Sequence, residues 1–301
     1  MGKIIGMIGL GQMGEPMAEN LLKKFPLVVY DLNPKPIEAL QQLGATAVQN
    51  PKAVAEKAEV VLLSLPSAKE VEAVMLGENG ILNQNDVTGR VIIDLSTSRP
   101  ELTQIIYAEA QKKGAHFLDA PVTGGRKGAI AGTLTVMVGG EPEVYSAQSD
   151  VFQAIAAKVF YVGSPGMGHT AKIVHNLIST SNIAVLSEAF VMAQKAGVDP
   201  KVMMDIINNG AARSYMSETK GEAHILSRKF EGPATIDIQI KDLGLALELA
   251  RTSEMPLPIG SLISQVYLIA RAFGLGGKDS AGMVEAYEIL SGNKGGGNSL
   301  D

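Results

Sequence analysis

Short apolar runs alternate with helical spacings along the first half of the chain, and the pattern changes in the second half. Ile4 to Ile8 is an apolar run, and glycines follow at Gly9, Gly11 and Gly14. Met17 to Lys24 carries helical spacing without a breaker, and Val28-Val29-Tyr30 is a second run ending on Asp31. The same alternation predicts a helix from Pro36 to Leu43, a short run near Ala45 and a helix capped at Asn50-Pro51. Strand Val60 to Leu65, a helix through Val71 to Met75, strand Val91 to Asp94, helix Glu101 to Lys112 and strand His116 to Leu118 come next. Strand Leu134 to Val138, a helix from Glu141 and strand Val159 to Val162 complete a first domain over residues 1–164. Near-continuous apolar strands between helices predict an α/β domain, a doubly wound parallel sheet covered on both faces.

The second half, residues 165–301, reads as all-helical. One helix occupies about residues 168–196, with no Pro or Gly between Gly168 and Gly197. Its apolar or small residues lie on nearly every face, among them Ala171, Ile173, Val174, Leu177, Ile178, Ile183, Val185 and Leu186. That distribution predicts a buried helix. Further helices are expected over Lys201 to Asn208, Glu218 to Leu226, Thr235 to Arg251, Ile259 to Phe273 and Ser280 to Leu290. The end, GNKGGGNSLD, has no core-forming content.

The glycines belong to the stretch Gly9-Leu10-Gly11-Gln12-Met13-Gly14, set between a strand and a helix, with Asp31 ending the next strand. This is the dinucleotide fingerprint in its required context. The first glycine permits the tight turn, the second lets the backbone approach a pyrophosphate, and the third lets helix pack on strand. The pyrophosphate then meets the N–H groups of a helix start. Asp31, followed by Asn33, suits the adenosine ribose hydroxyls and favours NAD over NADP, although Lys35 is near enough to pair with a 2′-phosphate. Ligands of such sheets sit beyond the carboxyl ends of the strands, which places Leu65-Pro66 and Ser96-Thr97 toward the cofactor. Each is equally readable as a plain turn. Thr123-Gly124-Gly125 follows another strand end and reads either as an anion cradle of backbone N–H groups or as a glycine-rich hairpin.

One polar stripe interrupts the long helix. At about 100° per residue, Asn176 and Ser179 fall within roughly 40° of Lys172, and His175 within about 60°. A lysine most often snorkels to solvent. On a helix otherwise suited to an interior, Lys172 is instead a candidate catalytic group. Desolvation or a neighbouring positive charge lowers a lysine pKa toward a range where it both accepts and donates a proton.

Composition narrows the classes. The chain has 301 residues, 46% hydrophobic and 19% charged, with net charge −5. This suits a soluble protein of about two domains and predicts neither a nucleic-acid footprint nor a membrane anchor. There is no cysteine, so thiol nucleophiles and zinc–thiolate sites are excluded. The opening MGKIIGMIGLGQMG lacks a signal-peptide cleavage pattern, and a cytoplasmic protein is expected. The four histidines show no HExxH pattern or clustered acids, so no metal is expected.

Four blocks in order carry a resemblance over almost the whole chain: GLGQMGEPMAENLLK from Gly9, DAPVTGGRKGAIAGTLTVMVGG from Asp119, GHTAKIVHN from Gly168 and KDLGLAL from Lys241. Together they resemble the β-hydroxyacid dehydrogenase family, which includes 3-hydroxyisobutyrate dehydrogenases and tartronate semialdehyde reductases. The resemblance implies NAD or NADP on the glycine loop and a substrate carboxylate held at Thr123, Gly124 and Gly125. It also implies a catalytic lysine at Lys172, a substrate-orienting Asn176, and Lys241 closing the site over substrate and cofactor. The residue before that asparagine is commonly Asn in the family and is His175 here. Arg213-Ser214-Tyr215 resembles a segment of 3-hydroxyisobutyrate and 2-(hydroxymethyl)glutarate enzymes. The implied partner is a small anionic hydroxy acid or semialdehyde (tartronate, succinic or sulfonated), in a homodimer or homotetramer. Two other readings stay open, a non-catalytic cofactor-binding module and an oxidative decarboxylase of a phosphorylated sugar acid. The second is disfavoured by the short helical half.

Overall fold

The computed structural model describes residues 2–83 and 86–292, so the glycine-rich tail beyond Gly292 lies outside the described residues. The chain divides into two compact units, Met1–Lys172 and Ile173–Asp301.

The first unit is built on β1 (Ile5–Ile8), α1 (Gly14–Leu22), β2 (Leu27–Tyr30), α2 (Pro34–Gln42), β3 (Thr46–Ala47), α3 (Pro51–Lys57), β4 (Val60–Leu63) and α4 (Ala68–Leu76). It continues with β5 (Val91–Asp94), α5 (Pro100–Lys112), β6 (His116–Asp119), β7 (Val122–Thr123), α6 (Gly125–Ala131), β8 (Leu134–Gly139), α7 (Pro142–Ser146), α8 (Ser149–Ile155) and β9 (Ala156–Gly163). Among the described residues the sheet runs β3-β2-β1-β4-β5-β6-β8-β7, with β9 also paired to β8. β1 lies between β2 and β4, parallel to both, so the strand order reverses at its carboxyl end. That switch point is where a ligand of an open α/β sheet binds.

The strands are apolar at successive positions because they feed two cores. Ile5, Met7, Val60, Leu62, Val91 and Ile93 join one core. Ile8, Val61, Leu63 and Ile92 join the other. With side chains alternating between faces, a strand covered on both sides has no polar positions to spare. Helix entries are sharp where sequence chemistry specifies them. Asn33 and Asn50 accept N–H groups of α2 and α3, each followed by a first-turn proline.

The sheet is not wholly parallel, as the strand pattern had suggested. β8 pairs antiparallel with both β6 and β7. The link from β7 to β8 holds only the short α6, and parallel neighbours need a crossover of a dozen or more residues. Thr123-Gly124-Gly125 therefore sits in neither a bare hairpin nor a simple loop. Val122 and Thr123 pair with Val136 and Thr135, and α6 starts directly after Gly124.

α9 spans Met167–Lys195, and the division between units falls inside it. The second unit adds α10 (Pro200–Asn209), α11 (Tyr215–Lys220), α12 (Ile236–Thr252), α13 (Pro258–Ala272) and α14 (Met283–Leu290). α11 runs into a π-helical turn over Gly221–Leu226, and α14 is preceded by a short 3-10 turn. The core of this unit gathers Ile183, Phe190, Met204, Leu243, Tyr267 and Val284 among others.

α9 is not buried all round. Val174, Ile178, Val185 and Met192 are 48%, 59%, 55% and 68% exposed. Their spacings of four, seven and seven place them on one line along the helix. Hydrophobicity reports that a face avoids water, not which surface covers it, and the periodicity misjudged α9 for that reason.

Candidate active site

The glycine loop leaves β1 with a division of labour that the backbone makes plain. Gly9 has φ +89°, and a Cβ there would stand 2.3 Å from the Ser64 carbonyl oxygen. A Cβ on Gly14 would stand 1.9 Å from the Gly9 carbonyl oxygen. Those two glycines serve the turn and the seat of α1 on it. At Gly11 nothing lies within 4 Å of an added Cβ. The protein's own packing does not require that glycine; the open space over it does.

That space belongs to a cleft of about 280 Å³ lined by Leu10, Gly11, Gln12, Glu15, Asn33, Lys35, Pro36 and Arg126. α1 enters it with Met13 at its N-cap and no side-chain cap to compete with a ligand, although the Glu15 N–H already donates to the Gly11 carbonyl at 3.1 Å. An uncapped helix start beneath an open glycine backbone fits a dinucleotide pyrophosphate. Asp31 frames the cleft. One of its carboxylate oxygens accepts the Leu10 N–H at 2.5 Å and the other the Asn33 N–H at 2.7 Å. The acid thus ties the glycine loop to the start of α2. Arg126 comes from α6, and its Nη1 donates to the Gln12 carbonyl at 2.9 Å. The sequence reading missed it. Its place directly after Thr123-Gly124-Gly125, the segment read as an anion cradle, was the available signal.

The other strand-end residues are joined. The Leu65 N–H donates to Ser96 Oγ at 2.9 Å, linking the ends of β4 and β5 beside Pro66 and Thr97. Gly124 and Gly125 both have positive φ, +126° and +62°. A Cβ on Gly124 would crowd Leu134, whereas nothing lies within 4 Å of one on Gly125.

Lys172 is 8% exposed and closes the first unit, in the second turn of α9. The helix start beneath it is held by Asp119. Its carboxylate accepts the Gly166 N–H at 2.9 Å and the His169 N–H at 2.8 Å. Burial pushes the Asp119 carboxyl up from the usual carboxylate range, opposed by the nearby His169 and these N–H groups.

In the second unit, Asn176 lies one turn further along α9 and its Nδ2 donates to Asp242 of α12 at 2.8 Å. Asp242 is buried, and Lys241 Nζ lies 3.2 Å from its other oxygen. The exposed His175 places its Nδ1 3.1 Å from Asn176 Oδ1. Arg213 faces Glu218 at 3.6 Å, and Ser214 and Ser217 form a reciprocal cap at the start of α11.

A doubly wound sheet with a glycine loop at its switch point, an uncapped helix start and a framing acid defines a dinucleotide-binding protein. Residues 4–163 match a family model described as the NAD binding domain of 6-phosphogluconate dehydrogenase. Residues 166–287 match one described as the NAD-binding domain of NADP-dependent 3-hydroxyisobutyrate dehydrogenase. The chain belongs to the β-hydroxyacid dehydrogenase family and is an NAD(P)-dependent oxidoreductase. It is 41% identical to 2-(hydroxymethyl)glutarate dehydrogenase of Eubacterium barkeri over 289 residues, 96% of each chain. It is 34% identical to 3-sulfolactaldehyde reductase of Escherichia coli, over 96% of this chain and 97% of that one. Among solved structures, a 3-hydroxyisobutyrate dehydrogenase from Salmonella typhimurium is similar with a TM-score of 0.86 at 29% identity, covering 94% of this chain and 99% of that one.

Proposed function

We propose that the protein interconverts a small anionic β-hydroxy acid and its semialdehyde, with Lys172 as general acid and base. The observation that carries the reading is a lysine only 8% exposed, in the second turn of α9 within the nucleotide-binding unit. Lysines are almost never so buried unless paired, and burial of this kind is what shifts a lysine toward proton-transfer chemistry. A bound nicotinamide supplies or takes up the hydride. Lys172 takes the substrate hydroxyl proton in oxidation and returns one in reduction. Asn176 orients the substrate oxygen; Asp242 holds one of its two amide N–H groups and leaves the second for that contact. Thr123 and the amides of Gly124 and Gly125 hold the carboxylate, so the reacting carbon is presented rather than activated. The resemblance alone assigns Lys241 its contact with substrate and cofactor. The acidic end of β2 supports a preference for NAD over NADP, with Lys35 and Arg126 lining the same cleft as the opposing influence.

The relatives named for 2-(hydroxymethyl)glutarate, with two carboxylates, and for 3-sulfolactaldehyde, with one sulfonate, support a small substrate with at least one anionic group, run in either direction. The test is a panel of β-hydroxy acids and semialdehydes with NAD and NADP, followed at the NADH absorbance band. On the best substrate, Lys172→Ala should lower kcat by at least about 10²-fold while NADH still binds, in keeping with general acid–base magnitudes. An unchanged kcat removes Lys172 from the mechanism.

The exposed line Val174, Ile178, Val185 and Met192 supports self-association, a second copy covering the stripe. Val185→Glu together with Ile178→Glu should shift the protein to a smaller species in sedimentation velocity. A wild-type monomer at micromolar concentration would overturn this assignment.

A further inference from the structure

Around the start of α9 lies a group of polar side chains that substrate and cofactor binding do not use. Asp94, Ser98, Thr103, Asp119 and His169 are each no more than 1% exposed. They come from the end of β5, the segment after it, α5, the end of β6 and the first turn of α9. His169 Nδ1 lies 2.7 Å from Thr103 Oγ1. Its Nε2 lies 3.7 Å from Asp94 Oδ2, and its Nδ1 3.9 Å from Asp119 Oδ2. Asp94 Oδ2, Ser98 Oγ and His169 Nε2 find no hydrogen-bond partner among the described residues. Buried polar atoms left in this state cost stability, since their desolvation is not offset. Apolar side chains of similar volume would be better for stability, so stability does not account for the group.

We propose that His169 is the positioning residue of Lys172, its ring tying the first turn of α9 to α5 through Thr103 and standing against the two carboxylates at the ends of β5 and β6. The proposal rests on the reading of Lys172 as the general acid and base. The turn has no slack elsewhere. Asp119 grips the N–H groups of Gly166 and His169. A Cβ on Gly168 would stand 2.5 Å from the carbonyl oxygens of both Asp119 and Met137. His169 adds the side-chain tie, and Lys172 follows three residues later, one turn along the same rod. Nδ1 faces Thr103 Oγ1, whose hydroxyl also has the Arg99 carbonyl at 3.3 Å, and Nε2 faces Asp94. Displacing a reacting group by about 1 Å costs on the order of 10²-fold in rate, so a helix start fixed on three sides is a catalytic asset.

The experiment is a double-mutant cycle on the intact enzyme with its best substrate from the panel. His169→Ala should lower kcat by about 10- to 100-fold, with substrate KM and NADH affinity changed by less than about threefold. In the Lys172→Ala background the same substitution should cost nothing further, because His169 acts through the lysine. His169→Asn places a polar atom near that of Nδ1 and should recover most of the loss. Thr103→Val keeps the shape, removes the hydroxyl and should reproduce part of the loss; these two variants carry the test if His169→Ala does not fold. If Lys172→Ala lowers kcat but His169→Ala leaves it unchanged, or the two losses multiply, the positioning role is overturned and the lysine stands. An unchanged kcat in Lys172→Ala overturns both.

Discussion

Gly9, Gly11 and Gly14 share one motif but answer to different demands, and the difference is measurable. Gly9 and Gly14 are required by backbone contacts of the folded chain, whereas only open cleft surrounds Gly11. Gly9→Ala should therefore destabilise the fold through both its positive φ and the clash with Ser64. Gly11→Ala should leave the melting temperature within a degree or two, yet weaken NADH binding by about tenfold or more, since the methyl occupies the pyrophosphate approach. Fluorescence titration of NADH beside a thermal melt separates the two. Asp31 shows how much of such a residue a sequence conceals. Its strand-end position was legible and its cofactor role follows from that position. Its tie between the Leu10 and Asn33 N–H groups was not, because it depends on where the loop backbone turns. The group around His169 was less legible still. Asp94 and Thr103, Asp119 and His169 come from three separate stretches of the chain, and no local pattern marks them as neighbours.

At the scale of elements, sequence chemistry worked wherever it acts locally. Asn50-Pro51 fixed the start of α3, and the runs at Val60 and Val91 are strands because apolar residues on both faces meet two cores. It failed where glycine carried two messages. No element was expected between Gly125 and Leu134, yet α6 lies there, starting after a positive-φ Gly124 and ending on a left-handed Gly132. The helical unit also holds a pH liability that spacing does not reveal. Burial, with a smaller push from Glu188, raises the Tyr287 phenol to about 12 from its ordinary 10.0. Burial likewise places fully buried Tyr267 well above that ordinary value, and its hydroxyl donates to the Thr180 carbonyl of α9 at 3.2 Å. A raised folded-state pKa contributes stability that is complete below the unfolded value and lost as pH rises through the folded one. Melting temperature should therefore fall between pH 10 and about 12, and Tyr287→Phe should flatten that fall. Circular dichroism melts across the range give the slope for both proteins.

For the molecule as a whole, the family matches run from residue 4 to residue 287, so both units belong to one kind of enzyme. The two-part organisation was legible from the change of pattern after Val162, but the place where compactness divides was not. The first unit extends to Lys172, into α9. That extension governs how the protein can be dissected. A fragment ending at residue 164 keeps all nine strands and the cofactor cleft, yet it removes both N–H groups that Asp119 holds. It thereby strips a carboxylate, enclosed in the full chain, of its donors and of the turn that covers it. Hydrogen bonds to a charged group contribute about 1.5–3 kcal/mol each, so losing both removes a large share of the stability of an ordinary domain. A fragment carried through residue 172 should melt cooperatively and bind NADH, while one stopped at 164 should bind poorly and aggregate on expression. Eight residues that a strand-by-strand reading would assign to the neighbouring half thus decide whether the nucleotide-binding piece survives alone.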